Sequence, residues 1–498
     1  MSYLGLDIGT GGCKAVVFDR EGKELASSFR EYPVLHPHPG WAEIDPDEVI
    51  KKCFEVITEV NSVITDPVVS MSISSQGEAF VPVGKKGEIL GNAMVSSDSR
   101  ARDIALNWSK DFGTKKIYYI TGHTPHPLFT LFKILWIKEN QPDIWKNCSY
   151  FLCFEDLFHY NVGIEPRISW SMAGRTMMFD VIKHQWSSEI LEAAGLSDKK
   201  LAIPAAPGEI TGTIGPEIGM KLGFKGPVLL VAGGHDQTCA ALGAGVIEPG
   251  MCMYATGTVE CFCPLLEKPS FSDELQRNNL CCYDYTIKGK YTTVAYSLTG
   301  GNILRWMRDE LGQKETAMAI ETGQNPYTLL LDNMPPPPTD LLVLPYFSAT
   351  GTPYFDTRAK GAIIGLQLTT TKGEITKALL EGVAMEMKLN LEMMEKSGMK
   401  INTFIATGGG TRNKTWTQLK ADVLNKKIIV HNVSEAGCYG AALLAMSSVV
   451  KIPVERLLND SKTENEIFSP DPENAKFYDN KFETYKQLYP ALKQFWKV

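Results

Sequence analysis

The segment GGHDQ, residues 233–237, follows the apolar run PVLLVA and contains one acidic residue. Asp236 could do chemistry, because a carboxyl group can act as a general acid or base. The same side chain could instead cap the helix predicted at TCAALGAG, by accepting hydrogen bonds from its first amides. The segment alone leaves both roles open.

Three glycine-containing turns follow predicted strands and have the composition of phosphate-binding loops. A glycine lets backbone amides approach an anion without a Cβ in the way, and a threonine hydroxyl adds a donor. One such turn usually only reverses the chain, but three at the carboxyl ends of strands favour a ligand at that edge of the sheets. The turns are Gly9-Thr10-Gly11-Gly12, Thr256-Gly257-Thr258 and Gly408-Gly409-Gly410.

Asp7 lies within the first apolar strand, beside the first of these turns. An unpaired buried carboxylate is costly, so Asp7 needs a partner, and a hydrated Mg²⁺ that bridges nucleotide phosphates would serve. A hydrogen-bonded turn cap is the alternative. The chain has neither a GxxxxGK[ST] segment nor a GxGxxG that opens a helix after the first strand, so a P-loop NTPase and a Rossmann dehydrogenase are not supported.

The elements that position these residues alternate between strands and helices. Residues 3–32 predict a three-stranded antiparallel meander, PDEVIKKCFEVITEV predicts a helix and VVSMSIS a strand. The second half starts in the same way, with MCMYATGTVECFCP as strand, turn and strand. It continues through strands at 402–407 and 427–432 and a long amphipathic helix with one apolar stripe: Ile375, Leu379, Val383, Met387 and Leu391. The repeated order predicts two copies of one α/β topology.

Composition restricts the partners of this chain of 498 residues. Its net charge of -7 includes no basic block that could grip nucleic acid or an anionic membrane, so the partner is predicted to be a small molecule. We expect no signal peptide before YLGLDIGT, and no apolar run reaches the length of about 18 residues that a membrane helix needs. The eleven cysteines lack paired metal-binding spacings and several lie in apolar strands, so we expect a cytoplasmic protein.

Taken together, these residues resemble the FGGY carbohydrate kinase family of the actin-like ATPase superfamily. The resemblance implies two ribonuclease H-like (actin-like ATPase) domains of duplicated topology, residues 1–245 and 246–498, with a cleft between them. It also implies ATP- and Mg²⁺-dependent phosphorylation of a sugar or polyol, with a homodimer as one option. The segments that carry it run in order along nearly the whole chain: GLDIGTGGCKAVVFD, HPGWAEIDP, FTLFKILWIKEN, GGHDQTCAALGAG, LPYFSATGTPYFDTRAKGAIIGL, ATGGGTRNKTWTQLKADVLN and SEAGCYGAALLA.

The resemblance further implies roles for individual residues. Asp236 would be the base that takes the proton of the sugar hydroxyl, and Asp7 would face Mg²⁺, through water. The nucleotide would lie against residues of the glycine turns and of the segments after them: Thr10, Gly11, Gly12, Thr256, Gly257, Thr258, Gly301, Gly409, Gly410 and Asn413.

The acceptor is less defined by the sequence. Xylulokinases have a Gln-Met-His segment where this chain has Gln76-Gly77-Glu78, and their Trp-x-Asp-x-Arg becomes SSDSR, residues 96–100, so the pattern disfavours D-xylulose. Glycerol kinases place an Arg-Glu pair near Gln76, and this chain offers only Glu78. We expect the acceptor to contact Gln76, Gly77, Glu78, Asp98 and Asp236.

The charges of Glu78 and Asp98 suit neighbouring hydroxyls, which favours a ketose or polyol over an anionic aldonate. The alternatives are a solvated loop residue for Glu78 and a structural ion pair between Asp98 and Arg100. Three tryptophans could stack on a sugar face or belong to the core, and His235 could be a second acid or base or pack behind the loop. The tryptophans are Trp41, Trp136 and Trp170.

Two other functions remain open from the sequence. The actin-like fold also hosts nucleotide-gated ATPases and chaperones, so a binding protein that hydrolyses ATP is one alternative. A sugar sensor that binds but does not phosphorylate is another. An ATPase would turn over ATP regardless of added sugar, whereas a sensor would yield no phosphorylated product.

Overall fold

A computed structural model describes residues 1–336, 338–431, 433, 435–460 and 465–496, and two six-stranded mixed sheets dominate it. The first sheet has the order β3-β2-β1-β4-β6-β5, and the second has the order β9-β8-β7-β10-β11-β12. The strands are β1 (Ser2–Ile8), β2 (Gly12–Phe18), β3 (Glu24–Glu31), β4 (Val68–Ser75), β5 (Ile210–Ile214), β6 (Val228–His235), β7 (Met251–Thr256), β8 (Glu260–Pro264), β9 (Ala295–Ser297), β10 (Thr403–Thr407), β11 (Lys427–His431) and β12 (Asn465–Phe468).

The two sheets have the same pattern of strand directions. In the first, β1 pairs antiparallel with β2 and parallel with β4, while β4 pairs parallel with β6 and β5 closes the edge antiparallel. In the second, β7 pairs antiparallel with β8 and parallel with β10, followed by β11 and antiparallel β12. The predicted meander and the duplicated α/β topology are therefore confirmed.

Six helices matter for the site or for the joining of the lobes: α1 (Pro46–Val63), α2 (Asp236–Gly243), α3 (Gly301–Leu311), α4 (Lys372–Lys396), α5 (Lys414–Leu424) and α6 (Ala436–Val450). Local sequence explains their ends. The Asp45 side chain caps α1 and Pro46 occupies its first turn, while Thr371 and Glu374 form a capping box at the start of α4. The predicted helices at both places are confirmed.

Shorter elements complete the lobes. The other helices are Arg102–Phe112, Thr114–Thr121, Thr130–Asn140, Pro142–Asn147, Phe154–Asn161, Trp170–Gly174, Ser188–Ala194, Pro216–Lys221, Asp273–Arg277, Gln313–Thr322, Pro326–Asp332, Val454–Asp460 and Pro472–Leu492, with 3-10 turns at Asp198–Lys200, Gly409–Arg412 and Lys493–Trp496. Short strands pair as Glu43–Ile44 with Ala93–Met94, Val81–Gly84 with Cys148–Leu152, Arg167–Ser169 with Ile203–Ala205, Phe179–Asp180 with Gln185–Trp186, Tyr283–Asp284 with Tyr291–Thr292, and Leu342–Leu344 with Ala362–Ile364.

Helix α6 comes from the second half of the chain but packs on the first sheet. A Cβ at Gly5 of β1 would stand 1.8 Å from the carbonyl oxygen of Cys438, so the strand and the helix touch backbone to backbone. The division of the sequence into two halves therefore does not coincide with the packing of α6. The domain boundary between residues 245 and 246 stays a prediction. The last residue of the predicted strand 427–432, Asn432, lies outside the described residues.

No helix within the described ranges is both long enough and apolar enough to cross a membrane.

Candidate active site

Asp236 lies where β6 ends and α2 begins, after a pair of glycines that tertiary packing requires. The register of β6 against β4 shifts between Val231 and Gly234. A Cβ at Gly233 would stand 1.8 Å from the carbonyl oxygen of Ile73 in β4, and a Cβ at Gly234 would stand 2.4 Å from a methyl carbon of Thr286. The strand can reach this edge of the sheet only with glycine at both positions.

The carboxylate of Asp236 does not cap the helix that follows it. His235 is the N-cap residue of α2, no side chain makes a capping hydrogen bond there, and Asp236 is the first helical residue. The helix-cap alternative is therefore wrong. The Asp236 side chain keeps 35% of its surface exposed, so the carboxylate is not sealed inside one lobe.

The surroundings of Asp236 raise its pKa to about 7. Burial is the largest cause, and the negative charges of Asp7 and Glu78 act in the same direction, while the Gln237 amide and Arg175 act against it. Burial raises the pKa of Cys261 in β8 of the second sheet, and the charges of Cys263 and Asp236 add to the rise. Asp236 is therefore within electrostatic reach of both lobes, with a pKa suited to a base near neutral pH.

His235 packs behind Asp236 and is neutral. Burial and the Arg175 charge hold its pKa well below the usual value. Its Nδ1 lies 3.0 Å from the Tyr283 hydroxyl and its Nε2 lies 3.2 Å from Oδ1 of Asp236. A phenol that donates to Nδ1 leaves the imidazole proton on Nε2, facing the carboxylate. This geometry supports the alternative of a histidine packed behind the loop, where it positions the carboxylate.

The first glycine turn is braced by Gln76. The Gln76 amide nitrogen donates to the carbonyl oxygen of Gly9 at 2.9 Å, and its Oε1 accepts from the Thr10 hydroxyl at 3.0 Å. The Tyr32 hydroxyl also donates to the Gly9 carbonyl, at 2.6 Å. The Gln76 side chain therefore makes hydrogen bonds to the turn, and one of them is accepted from the Thr10 hydroxyl.

Asp7 has a protein partner at the same edge of the first sheet. The Ser74 hydroxyl donates to its Oδ1 at 2.5 Å, and an ion pair between Lys14 and Glu435, 2.5 Å apart, lies within electrostatic reach. Burial, followed by the Glu435 charge, raises the pKa of Asp7, although Ser74 and Lys14 oppose the rise. Among the described residues, no group of three or more His, Cys, Asp or Glu side chains could hold a metal ion.

The glycines predicted to face the nucleotide divide into two sets. A Cβ at Gly11 or Gly409 would meet no atom within 4 Å, and one at Gly257 would meet only the carbonyl oxygen of Val259, at 3.8 Å. Neither packing nor a positive φ angle explains glycine at these three positions. All three are exposed, so their surfaces are open to a ligand.

The remaining glycines of the prediction are explained by packing. A Cβ at Gly12 would lie 2.7 Å from the Phe29 ring, one at Gly301 would lie 2.8 Å from the Gly257 carbonyl oxygen, and one at Gly410 would lie 2.8 Å from the Thr256 hydroxyl. These contacts hold the second-lobe turn and the start of α3 together.

Other polar groups of the second lobe make hydrogen bonds within the protein. The Gly301 amide donates to the Gly257 carbonyl at 2.8 Å, and that of Asn302 donates to the Thr258 carbonyl at 3.2 Å. The Thr256 hydroxyl donates to the Thr407 carbonyl at 3.1 Å, and the Asn413 side chain caps α5. A cavity of about 450 Å³ opens beside the third turn and is bordered by Gly408, Gly409, Arg412, Lys414 and His431, among other residues.

Glu78 is neither solvated nor alone. It is 4% exposed, has a φ of +62°, and pairs with Arg175, whose Nε donates to its Oε1 at 2.6 Å. Gly77 makes room for this arrangement, because a Cβ there would stand 3.0 Å from the His235 ring and 3.3 Å from Cβ of Arg175. The alternative of a solvated loop residue is therefore wrong for Glu78.

Asp98 is enclosed by protein donors. Its carboxylate accepts from the Ala42 amide at 2.7 Å and from the Arg100 side chain at 2.7 to 3.0 Å, and Arg100 also pairs with Glu43 at 2.6 Å. The guanidinium carbon of Arg100 lies 3.6 Å from the centre of the Trp41 ring. The geometry thus matches the structural ion pair that the sequence left open.

The three tryptophan rings pack against other side chains of the protein. Trp41 is stacked by Arg100 and contacts Trp136 edge to face at 5.3 Å, while Trp170 stacks on His184 at 3.8 Å. These contacts match the core alternative rather than a sugar platform.

Arg175 is the residue of this region that the sequence analysis missed. It lies just after the helix Trp170–Gly174, and its guanidinium carbon is 5.3 Å from the Phe129 ring centre and 5.5 Å from that of Tyr283. The one signal in the sequence is a cation inside the otherwise uncharged stretch SMAGRTMMF, and spacing along the chain does not connect it to Glu78.

Two lobes of one mixed α/β topology, with glycine turns and a partly buried carboxylate at the carboxyl ends of their strands, define a protein of the actin-like ATPase class. Comparisons with known proteins identify the family. The models of the FGGY family of carbohydrate kinases match the chain twice, the N-terminal domain over residues 2–243 and the C-terminal domain over residues 252–449. The chain belongs to this family and is a sugar kinase with ATP as its phosphate donor.

Individual relatives cover nearly the whole chain. A xylulose kinase of Bacillus subtilis is 25% identical over 501 residues, which are 99% of this chain and 98% of that protein. A gluconokinase of the same organism is 26% identical over 481 residues, 95% and 93% of the two chains. The crystal structure of a xyloylose kinase from Brucella ovis has a TM-score of 0.89 and 24% identity, covering 99% of this chain and 100% of that one.

Proposed function

We propose that this kinase transfers the γ-phosphate of ATP to a hydroxyl of a small ketose or polyol, with Asp236 as the base. The bond from the acceptor oxygen to the γ-phosphorus forms while the bond to the leaving oxygen of ADP breaks, and the hydroxyl proton moves to Asp236. The observation that carries the proposal is the carboxylate itself. Its Oδ1 is buried beside Nε2 of His235, while the side chain as a whole keeps 35% of its surface exposed, so an acceptor hydroxyl can reach the carboxylate.

We propose that the nucleotide lies against the open faces of Gly11, Gly257 and Gly409. Support comes from their glycine identity, which neither packing nor backbone conformation explains, so the missing Cβ leaves room for phosphate oxygens. The exposed Thr258 adjoins Gly257 and can add its hydroxyl. In this proposal the other predicted residues support the turns through packing and hydrogen bonds and do not contact the nucleotide: Thr10, Gly12, Thr256, Gly301, Gly410 and Asn413.

We propose that Asp7 would hold a hydrated Mg²⁺ through water. Ser74 occupies Oδ1 of Asp7, and the described residues offer no cluster that could enclose a bare ion, so coordination through water suits a cation that dehydrates reluctantly. When bound, Mg²⁺ neutralises phosphate charge during the transfer. Asp7 contributes the fixed negative charge that holds the hydrated ion.

For the acceptor we propose direct contact with Glu78 and Asp236. Gln76 and Gly77 act by bracing the first turn and by admitting Arg175, and Asp98 acts by fixing Arg100 and the Trp41 ring. We also propose a reducing compartment such as the cytoplasm, because all eleven cysteines are unpaired and buried.

The replacement Asp236→Asn tests the central role. Release of ADP is measured with ATP, Mg²⁺ and a panel of ketoses and polyols, and the phosphorylated product is detected by mass spectrometry. We expect sugar-dependent turnover to fall by about 100-fold or more, because the base is removed while the side-chain size is kept. The affinity for ATP should stay within about twofold, since the replacement leaves the three glycine turns unaltered.

Asp111→Asn in the helix Arg102–Phe112 is the matched control, because this aspartate is exposed and far from the glycine turns along the chain. Its turnover should equal that of the unaltered protein. ATP hydrolysis that ignores every sugar would contradict the proposal in favour of an ATPase. Sugar binding without a phosphorylated product would contradict it in favour of a sensor.

A further inference from the structure

A small pocket lies beside the Arg175–Glu78 pair, between side chains from both halves of the chain. Its volume is about 170 Å³, below the range of about 300–1,000 Å³ that is usual for ligand pockets, so it suits a small molecule. Its lining residues include His123, His126 and Arg175.

The pocket is connected to the base through a chain of contacts. Nε2 of His235 lies 3.2 Å from the Asp236 carboxylate, and the same ring packs on Gly77. Gly77 in turn packs on the stem of Arg175, whose guanidinium lines the pocket. The pocket therefore lies next to the residues that position the base.

The positive charge of Arg175, which lines the pocket, is balanced by the negative charge of Glu78. Arg175 donates to one oxygen of Glu78, Oε1, while Oε2 of Glu78 and Nη1 of Arg175 make no hydrogen bond in the part of the chain that the structure describes. The pair thus keeps one free acceptor and one free donor with no net charge. Two neighbouring hydroxyls can use both groups, whereas a carboxylate would meet a cation whose charge is already balanced.

The histidines of the pocket add polarity without charge. Burial lowers the pKa of His123 well below its usual value and that of His126 to about 4, so both are neutral at pH 7. His123 is 1% exposed, and its Nε2 has no hydrogen-bond partner among the described residues. A buried imidazole nitrogen without a partner is costly, and a ligand hydroxyl would satisfy it.

We propose that this pocket holds the end of the acceptor away from the reacting hydroxyl, and that the Arg175–Glu78 pair makes it select neutral ketoses and polyols over aldonates of the same length. The proposal rests on the kinase reaction described under the proposed function. It assigns to Arg175 and His123 a role in specificity that is separate from the chemistry at Asp236.

The preference for neutral acceptors over aldonates is tested with pairs of acceptors of the same length that differ only at one end. The value of kcat/KM is measured for xylitol against xylonate and for glucitol against gluconate, with D-xylulose as a ketose. In the unaltered protein we expect the neutral member of at least one pair to be favoured by about tenfold or more. In Glu78→Gln, which frees the Arg175 charge, the ratio should move towards the aldonate by about tenfold or more.

Two further variants keep the test independent of a folding defect in Glu78→Gln. His123→Leu removes a polar contact without unpairing a charge, and it should raise KM for the neutral acceptor by about fivefold while kcat stays within about twofold. Arg175→Met should weaken both members of each pair. Glu43→Gln, which removes another partly buried partner of an arginine outside the pocket, is the control and should leave the ratio unchanged.

The outcomes separate this inference from the kinase reaction itself. An unaltered protein that phosphorylates none of these acceptors contradicts the proposed function. An unaltered protein that favours the aldonates keeps the function and overturns the inference. A ratio that stays within about twofold in Glu78→Gln, or a KM unaffected by His123→Leu, likewise overturns it.

Discussion

The chemistry of Asp236 depends on what surrounds its carboxylate. A solvated aspartate with a pKa of about 3.9 is a weak base for an alcohol. Here burial and the charges of Asp7 and Glu78 raise the pKa to about 7, which increases the affinity of the group for a proton and leaves about half of the molecules with an ionised carboxylate at pH 7. Because phosphoryl transfer asks mainly for alignment of the hydroxyl, the neutral His235 behind the carboxylate contributes by fixing its orientation.

This environment predicts the pH dependence of the reaction. The base must be ionised, so kcat/KM for the acceptor should fall as pH decreases through about 7, by about tenfold per pH unit below that value. In Glu78→Gln the midpoint should move to lower pH, since removal of a negative charge lowers the pKa of Asp236. Initial rates between pH 5 and 9, at concentrations of about a tenth of KM, measure both effects.

Glu43→Gln serves as the control for the pH profile, because Glu43 pairs with Arg100 and is not among the groups that shift Asp236. An acid limb near pH 4 in the unaltered protein would show that Asp236 is not perturbed. A midpoint unchanged by Glu78→Gln would show that Glu78 does not act on the base.

At the scale of the element, the third glycine turn contains two neighbouring glycines whose surroundings differ. Gly409 faces open space, whereas Gly410 packs on Thr256 and Trp416. The 3-10 turn Gly409–Arg412 thus presents one residue outward and packs the next against β7 and α5. This difference separates a ligand-binding role from a packing role within two adjacent positions.

Alanine replacements at these two positions should therefore have opposite effects. Gly409→Ala should leave the melting temperature unchanged and raise KM for ATP by roughly tenfold, because the methyl group occupies the space left for phosphate. Gly410→Ala should lower stability by about 1–3 kcal/mol, because its Cβ would stand 2.8 Å from the Thr256 hydroxyl. Thermal unfolding without ligand and steady-state kinetics distinguish the two. Equal effects of both replacements on KM would argue against a nucleotide contact at Gly409.

At the scale of the whole molecule, the two lobes are joined where α2 and α6 cross. A Cβ at Gly243 of α2 would stand 2.0 Å from the Ala436 carbonyl oxygen, and one at Gly440 of α6 would stand 2.0 Å from the Cys239 carbonyl oxygen. The helices thus meet backbone to backbone, one from each half of the chain. Helix α6 also contacts β1, so a helix of the second half of the chain packs on the first sheet.

Gly440→Ala tests this junction. The added methyl group overlaps a backbone oxygen, so the helices must separate, and we expect a loss of about 1–3 kcal/mol in stability together with a lower kcat. Gly219→Ala in the helix Pro216–Lys221 is the matched control, because its Cβ would meet no atom within 4 Å, and it should stabilise by about 0.4–1 kcal/mol. Both are measured by thermal unfolding and by turnover. A Gly440→Ala protein as stable and active as the control would contradict the role of the crossing.

The sequence by itself determined the order of the elements, the duplicated topology and the position of Asp236. Strand and helix periods, caps and glycine turns are local, so α1, α4 and the β1–β3 meander could be read from adjacent residues. The seven segments of the family resemblance added the class of reaction.

Only the tertiary structure decided which groups meet at the site. Arg175 lies 97 positions from Glu78 along the chain, yet the two side chains form one buried pair. The same holds for the glycines, because their space is set by Ile73, Thr286 or Thr256 on other elements. Periodicity and propensity describe a residue and its neighbours in sequence, whereas pKa values, pocket walls and close approaches depend on groups that folding brings together from distant positions.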